Sequence, residues 1–143
     1  MRLLLLGCTG FIGRELVPNL LNAGHQVTVV SRQPSQVNKN RNSNKNLSWL
    51  QIDPTVSSNW KQEPLLSALA KAEGVINLAG EPIADKRWSP KHCKIIESSR
   101  LNTTKALIAA MNKMQRPPRV LVNASAIGYY GTSQDAKFTE ASP

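Results

Sequence analysis

At 143 residues and 41% hydrophobic content, the chain has material for one buried core, so a single domain is expected over residues 1–143. Two cysteines, Cys8 and Cys93, stand far apart and in no metal-ligand spacing, which supports neither a disulfide framework nor a metal site. The net charge of +9 is uneven: nine basic residues and one acid, Glu97, fall between Lys86 and Arg119, giving +8 there and +1 elsewhere.

The opening, MRLLLLGCTGFIG, invites two readings. An Arg, a Leu run and Gly-Cys can begin an exported lipoprotein, or a buried strand can run into a phosphate-binding turn. Length decides. A secretory apolar region needs about 7–15 residues, and only Leu3 to Leu6 precede Gly7. No stretch approaches the ~18 apolar residues of a membrane span. A short apolar run closed by Gly reads as a strand buried on both faces. The expected compartment is the cytosol or a cytosol-like one such as an organelle stroma, with no membrane partner.

After this strand, Arg2–Leu6, the spacing of Leu16, Val17, Leu20 and Leu21 predicts a helix over Phe11–Ala23, stopped at Gly24-His25. Pro18 inside it should cost stability or kink the helix. Gln26–Val30 is a second strand, rich in β-branched residues. Residues 38–46, NKNRNSNKN, have nothing to bury and are expected to form a mobile loop. Leu47–Ile52 reads as a third strand, Trp60–Ala72 as a helix and Gly74–Ala79 as a fourth strand. Ser89-Pro90 supplies an N-cap and a proline at the first helical position for a long helix to about Gln115. Arg119–Asn123 is a fifth strand. Strands separated by helix-length segments imply right-handed crossovers and a doubly wound parallel sheet of the α/β class.

On the long helix, at ~100° per residue, Lys91, Lys94, Lys105 and Lys113 share one arc. This reads first as a solvated outer face; a polyanion-binding surface is the sharper alternative. On the same count Ile96, Arg100, Leu107, Met111 and Met114 form the stripe expected to face the sheet, with Arg100 in its middle. A buried guanidinium needs a partner, so Arg100 is expected to reach a carboxylate or the ligand region; the alternative is a packed stem with its head in water.

The candidate site begins at Gly7-Cys8-Thr9-Gly10-Phe11-Ile12-Gly13, between strand and helix. In that context Gly7 permits the tight turn, Gly10 lets a diphosphate approach the backbone, and Gly13 lets the helix pack on the strand. The main-chain amides from residue 7 to 13, those of Thr9, Phe11 and Ile12 included, then face an anion at the helix start. At the end of the second strand a site for NAD places an acid, for the ribose hydroxyls. Here Ser31-Arg32 stands instead. An acid repels a 2′-phosphate and Arg pairs with one, which favours NADP over NAD.

GCTGFIG, VINLAGEPIADKRW, SSRLNTTKAL and ASAIGYYG together resemble the extended and atypical short-chain dehydrogenases/reductases. The branch is that of NAD-dependent epimerase/dehydratase or "epimerase family" proteins, some of them called cell-division-inhibitor-like. The resemblance covers essentially the whole chain and is most specific from Val75 to Leu107. It implies a Rossmann fold with NADP along the strand tips, followed by a C-terminal substrate lobe that is missing here. The chain is therefore expected to be an incomplete copy of a longer protein.

Position by position, the resemblance implies that Asp53-Pro54 lies near the adenine. Ala79-Gly80-Glu81 would run along the phosphate and ribose side, and Glu81 and Arg87 would be polar cofactor contacts. The superfamily's catalytic pattern is Ser/Thr with Tyr-x-x-x-Lys. Four residues after Tyr129 is Ser133, and four after Tyr130 is Gln134, so the pair is absent from this chain. Ser125, Arg100 (where extended members usually carry Asn) and Tyr130 are the candidate catalytic groups.

The leading expectation is an NADP-binding oxidoreductase or sugar-nucleotide epimerase, using hydride transfer on an unidentified small molecule. The alternatives are a non-catalytic nucleotide-binding or regulatory module, division-related, a truncated remnant, or a nucleic-acid binder through the lysine face.

Overall fold

The computed structural model describes residues 1–33, 44–125 and 131–142. Five strands form one parallel sheet: β1 (Arg2–Leu6), β2 (Gln26–Ser31), β3 (Leu47–Gln51), β4 (Gly74–Asn77) and β5 (Val120–Asn123). Their spatial order is β3-β2-β1-β4-β5. The chain winds outward from β1 through β2 to β3, then returns across the sheet to place β4 on the other side of β1. Leu6 pairs with Val30 on one flank and Asn77 on the other. The order therefore reverses between β1 and β4, the place where a Rossmann-like sheet opens a crevice at its strand tips.

β1 shows why the sheet is covered on both faces. Its side chains alternate. Leu4 and Leu6 enter a core with Trp60, Leu65, Leu69, Val75 and Leu107, while Leu3 and Leu5 enter a second core with Val17, Val27 and Val29. The first core lies under helices α2 (Leu65–Lys71) and α3 (Pro90–Met111), the second under α1 (Phe11–Asn22).

Helix α1 runs through Pro18. It ends as Gly24-His25 predicted: Gly24 takes φ +81°, its amide donates to Leu21, and that of His25 donates to Leu20, two otherwise orphan carbonyls. The expected helix over Trp60–Ala72 is instead a 3₁₀ turn at Ser57–Lys61 followed by the shorter α2. Pro64 is the reason. Its nitrogen has no proton to give to the preceding turn and its ring crowds the carbonyl there, so a continuous helix across it is disfavoured and α2 starts behind it. The long helix α3 begins as read, with the Ser89 hydroxyl accepting from the His92 amide at 3.2 Å. It stops at Met111 rather than Gln115, and the chain continues in tight turns through Met114. Most of the expected loop at residues 38–46 lies outside the described residues.

Candidate functional site

The glycine turn leaves β1 and enters α1 under steric pressure from both sides. Gly7 takes φ +72°, and a Cβ there would lie 2.5 Å from the Ala79 backbone at the tip of β4. At Gly13 a Cβ would meet the Cys8 carbonyl oxygen at 2.2 Å, which is the close helix–strand packing expected. Gly10 differs. Its nearest neighbour would be 3.9 Å away, so nothing in the protein requires a glycine there. That is the open face a ligand would approach.

Gly10 is also the N-cap of α1 and offers no side-chain hydrogen bond; no acid stands in the first turn. The first helical bond is from the Arg14 amide to the Gly10 carbonyl, 3.1 Å. The amides before it are those a helix start leaves without a partner in the helix, and they carry the positive end of its dipole. Phe11 and Ile12 are 91% and 61% exposed, so any contribution they make here is through the main chain. The Cys8 thiol is buried and burial pushes it up to about 12, leaving it neutral and unreactive behind the turn.

A cleft of about 870 Å³ opens beside the turn at Gly10, with Phe11 and Ile12 outside its lining. One wall is Gly7, Thr9, Gly10 and Arg14; another is Ser31, Arg32 and Gln33 at the end of β2. Asp53, Pro54 and Thr55 stand beyond β3, and Ala79, Gly80 and Pro82 follow β4. The structure thus brings to one cleft Gly7, Thr9, Gly10, Ser31, Arg32, Asp53, Pro54, Ala79 and Gly80 of the residues expected from sequence. Gly13 is buried behind the turn. Asp53 is committed locally: its Oδ1 accepts from the Thr55 amide at 2.9 Å and the Thr55 hydroxyl at 2.7 Å.

The segment after β4 is held by α3. The Glu81 amide donates to the Ser99 hydroxyl at 2.9 Å, and the Glu81 carboxylate pairs with Lys86 at 3.2 Å. Neither the Glu81 side chain nor Arg87 lines the cleft. Beneath them Asn77, nearly fully buried, donates to Asn123 at 2.7 Å and to Thr104 at 3.2 Å, and accepts from the Ala79 amide at 3.2 Å. Two strand tips and one helix are tied through that one side chain.

Arg100 is corrected. It is exposed, and the buried stripe of α3, formed by His92, Thr103, Ala106 and Leu107, centres near Thr103, about 60° round the helix at ~100° per residue. Counting apolar residues alone misplaced the stripe, because Thr103 is fully buried with its hydroxyl satisfied by the Ser99 carbonyl at 2.8 Å. Arg100 does reach the segment after β4, through carbonyls: Nη1 donates to Glu81 at 3.0 Å and Ile96 at 3.1 Å, and among the described residues no carboxylate pairs with it. Its guanidinium lies against Gly80, where a Cβ would come within 2.7 Å of Cζ. Ser125 is exposed at the end of a described segment, and Tyr130 lies outside the described residues. Sequence reading missed Arg14, Thr55, Ser99 and Thr103; of these only Arg14, directly behind the third glycine, carried a local signal. Lys91, Lys94 and Lys105 on α3, and Lys113 in the turn behind it, are exposed, as a solvated outer face requires. Among the described residues no helix is long and apolar enough to cross a membrane.

The profile of the NAD dependent epimerase/dehydratase family matches residues 3–143. The chain is 36% identical over 146 residues to human epimerase family protein SDR39U1, covering 100% of this chain and 43% of that protein. It is 37% identical to the chloroplastic SDR39U1 homolog of Arabidopsis thaliana, covering 96% of this chain and 38% of that one. The crystal structure of human SDR39U1 isoform 2 with NADPH superimposes with a TM-score of 0.76 at 32% identity, over the whole chain and 42% of that structure. The chain thus spans about two fifths of the length of these relatives. A glycine turn, a parallel sheet reversing beside it and a profile match across nearly every residue lead to one statement: the chain belongs to the NAD dependent epimerase/dehydratase family.

Proposed function

We propose that this chain is the NADP-binding part of a short-chain dehydrogenase/reductase-type oxidoreductase or epimerase. The observation that carries the reading is the uncapped start of α1 facing a cleft across Gly10, with Ser31 and Arg32 on the opposite wall. A diphosphate fits the amides, and its charge suits the dipole end. Gly10 leaves space that the protein itself does not use. Arg32 stands where an acid would select NAD, and a guanidinium there matches a 2′-phosphate. The human relative solved with NADPH supports the choice of nucleotide.

NADP bound in this cleft supplies hydride chemistry. The chain's residues orient it: the turn amides hold the diphosphate, Arg32 and Ser31 the ribose end, Asp53-Pro54 the adenine side, and Ala79-Gly80-Glu81 the other ribose. Arg100 fixes this last segment through the Glu81 carbonyl and is a positioning residue rather than a proton donor. Glu81 and Arg87 contact the nucleotide only if the segment after Gly80 folds over it. Ser125 is the candidate for polarising a substrate oxygen, and Tyr130 is the other candidate hydroxyl. The ligands are a nicotinamide dinucleotide and a small molecule, in a cytosol or organelle stroma, with no role assigned to nucleic acid or membrane.

A second reading, a nucleotide-binding module without catalysis, has one observation in its favour: no Tyr-x-x-x-Lys pair stands in this chain. Titration with NADPH and NADH tests the shared part of both. NADPH is expected to bind at least ~10-fold tighter, about 1.4 kcal/mol. Equal binding removes the role of Arg32, and no binding of either removes the proposal. Hydride transfer to a carbonyl substrate by the NADPH-loaded chain separates the two readings.

A further inference from the structure

The cleft carries a second guanidinium that the glycine pattern does not account for. Arg14 sits in the first turn of α1 and lines the same cleft as Ser31 and Arg32. Its placement is unfavourable for the helix by itself: a cation in the first turn opposes the dipole, and no acid stands there to offset it. Neither Arg14 nor Arg32 makes an ion pair or side-chain hydrogen bond among the described residues. The carboxylate lining the cleft, Asp53, is turned onto Thr55.

Helical side chains lean toward the N-terminus of their helix. That lean accords with Arg14, whose amide bonds the Gly10 carbonyl, lining the cleft together with Gly10 and the end of β2. A diphosphate on the turn amides sends its adenosine ribose toward that strand end. A group on the ribose would stand between the wall holding Arg14 and the wall holding Arg32. A 2′-phosphate with its second pKa near ~6 is a dianion at neutral pH, and two forked cations suit it where one leaves charge unpaired. A 2′-hydroxyl has no comparable use for a second cation.

We infer that Arg14 is a specificity-determining residue, closing with Arg32 on the 2′-phosphate of NADP. The inference rests on the reading of the cleft as a dinucleotide site, and the experiment keeps the two apart. Binding of NADPH and NADH is measured on the full 143-residue chain and on Arg14→Met, with Arg14→Gln as a second replacement at an exposed helical position and thermal unfolding as the check on folding. The adenosine half is probed alone with 2′-phospho-AMP against AMP.

NADPH and 2′-phospho-AMP are expected to weaken by about tenfold or more in both variants, with NADH and AMP held within about twofold. Arg14→Lys should recover part of the loss, since it keeps the charge without the fork. The preference of the parent chain for 2′-phospho-AMP should fall as pH drops below ~6 and the phosphate takes up its proton. An equal loss for NADPH and NADH would place Arg14 on the diphosphate and overturn the inference, as would no loss for either. If the parent chain binds neither nucleotide, the reading of the cleft fails and this inference with it.

Discussion

The three glycines of the turn answer to different forces, and substitution separates them. At Gly13 a methyl group would overlap the Cys8 carbonyl at 2.2 Å, with backbone on both sides unable to give way. Gly13→Ala should lose at least ~1–3 kcal/mol in a denaturant titration, the range for overpacking. Gly10 has φ −80° and ψ −168°, open to any residue, and no neighbour closer than 3.9 Å. Gly10→Ala should therefore keep its stability within about 1 kcal/mol. Its NADPH affinity should nevertheless fall at least tenfold (~1.4 kcal/mol), because the methyl group stands where the diphosphate must come. A Gly10→Ala chain that binds NADPH like the parent would remove the diphosphate from this turn.

Between elements, the polar link at the strand tips is the feature with most consequence for the site. Asn77 joins β4 to Asn123 on β5 and Thr104 on α3, and its carbonyl oxygen holds the Ala79 amide at the start of the cleft segment. Asn77→Ala removes three hydrogen bonds whose partners are half-buried or exposed, at about 1–3 kcal/mol in all. Urea unfolding should show that loss, and nucleotide binding should weaken with it as residues 79–81 lose their anchor. Unchanged unfolding would mean that water replaces the Asn77 amide without cost. The same scale explains the misread elements. Pro64 divides a helix that its apolar spacing favoured, and Thr103 takes the centre of α3 because a hydroxyl bonded within its own helix packs like an apolar group.

Across the whole molecule, the end of the sheet opposite the cleft is joined by one exposed carboxylate. Glu73 precedes β4; its Oε2 accepts from the Arg2 amide at 2.8 Å, its own amide donates to the Arg2 carbonyl, and its carbonyl accepts from Arg119 at the start of β5. The hydrogen bond from the Arg2 amide, ahead of the nearby positive charges, holds the Glu73 carboxyl below its ordinary 4.5. A lowered pKa in the folded state means stability that is present above 4.5 and lost as pH falls through the folded value. Glu73→Gln should thus melt below the parent at neutral pH, with the gap closing as the solution is acidified through the carboxylate range. A gap that persists at low pH would show that the charge is not what the variant removes.

Much of this molecule was legible in its residues because the forces involved are local. The Leu run, the β-branched strand at Gln26, Ser89-Pro90 and Gly24 each act over a few positions, so element order and a parallel sheet followed from them. The glycine turn and the basic end of β2 were legible for the same reason: each is a short pattern whose chemistry lies in its own atoms. Strand order, and with it the crevice between β1 and β4, depends on how separate units pack, which no local pattern specifies. Only the folded chain decides that Gly7 abuts Ala79 while Gly10 abuts nothing, that Arg100 ends on a carbonyl, and that Arg14 and Arg32 line one cleft. Those facts are distances between residues remote in sequence, and they exist only once close packing has brought the elements together.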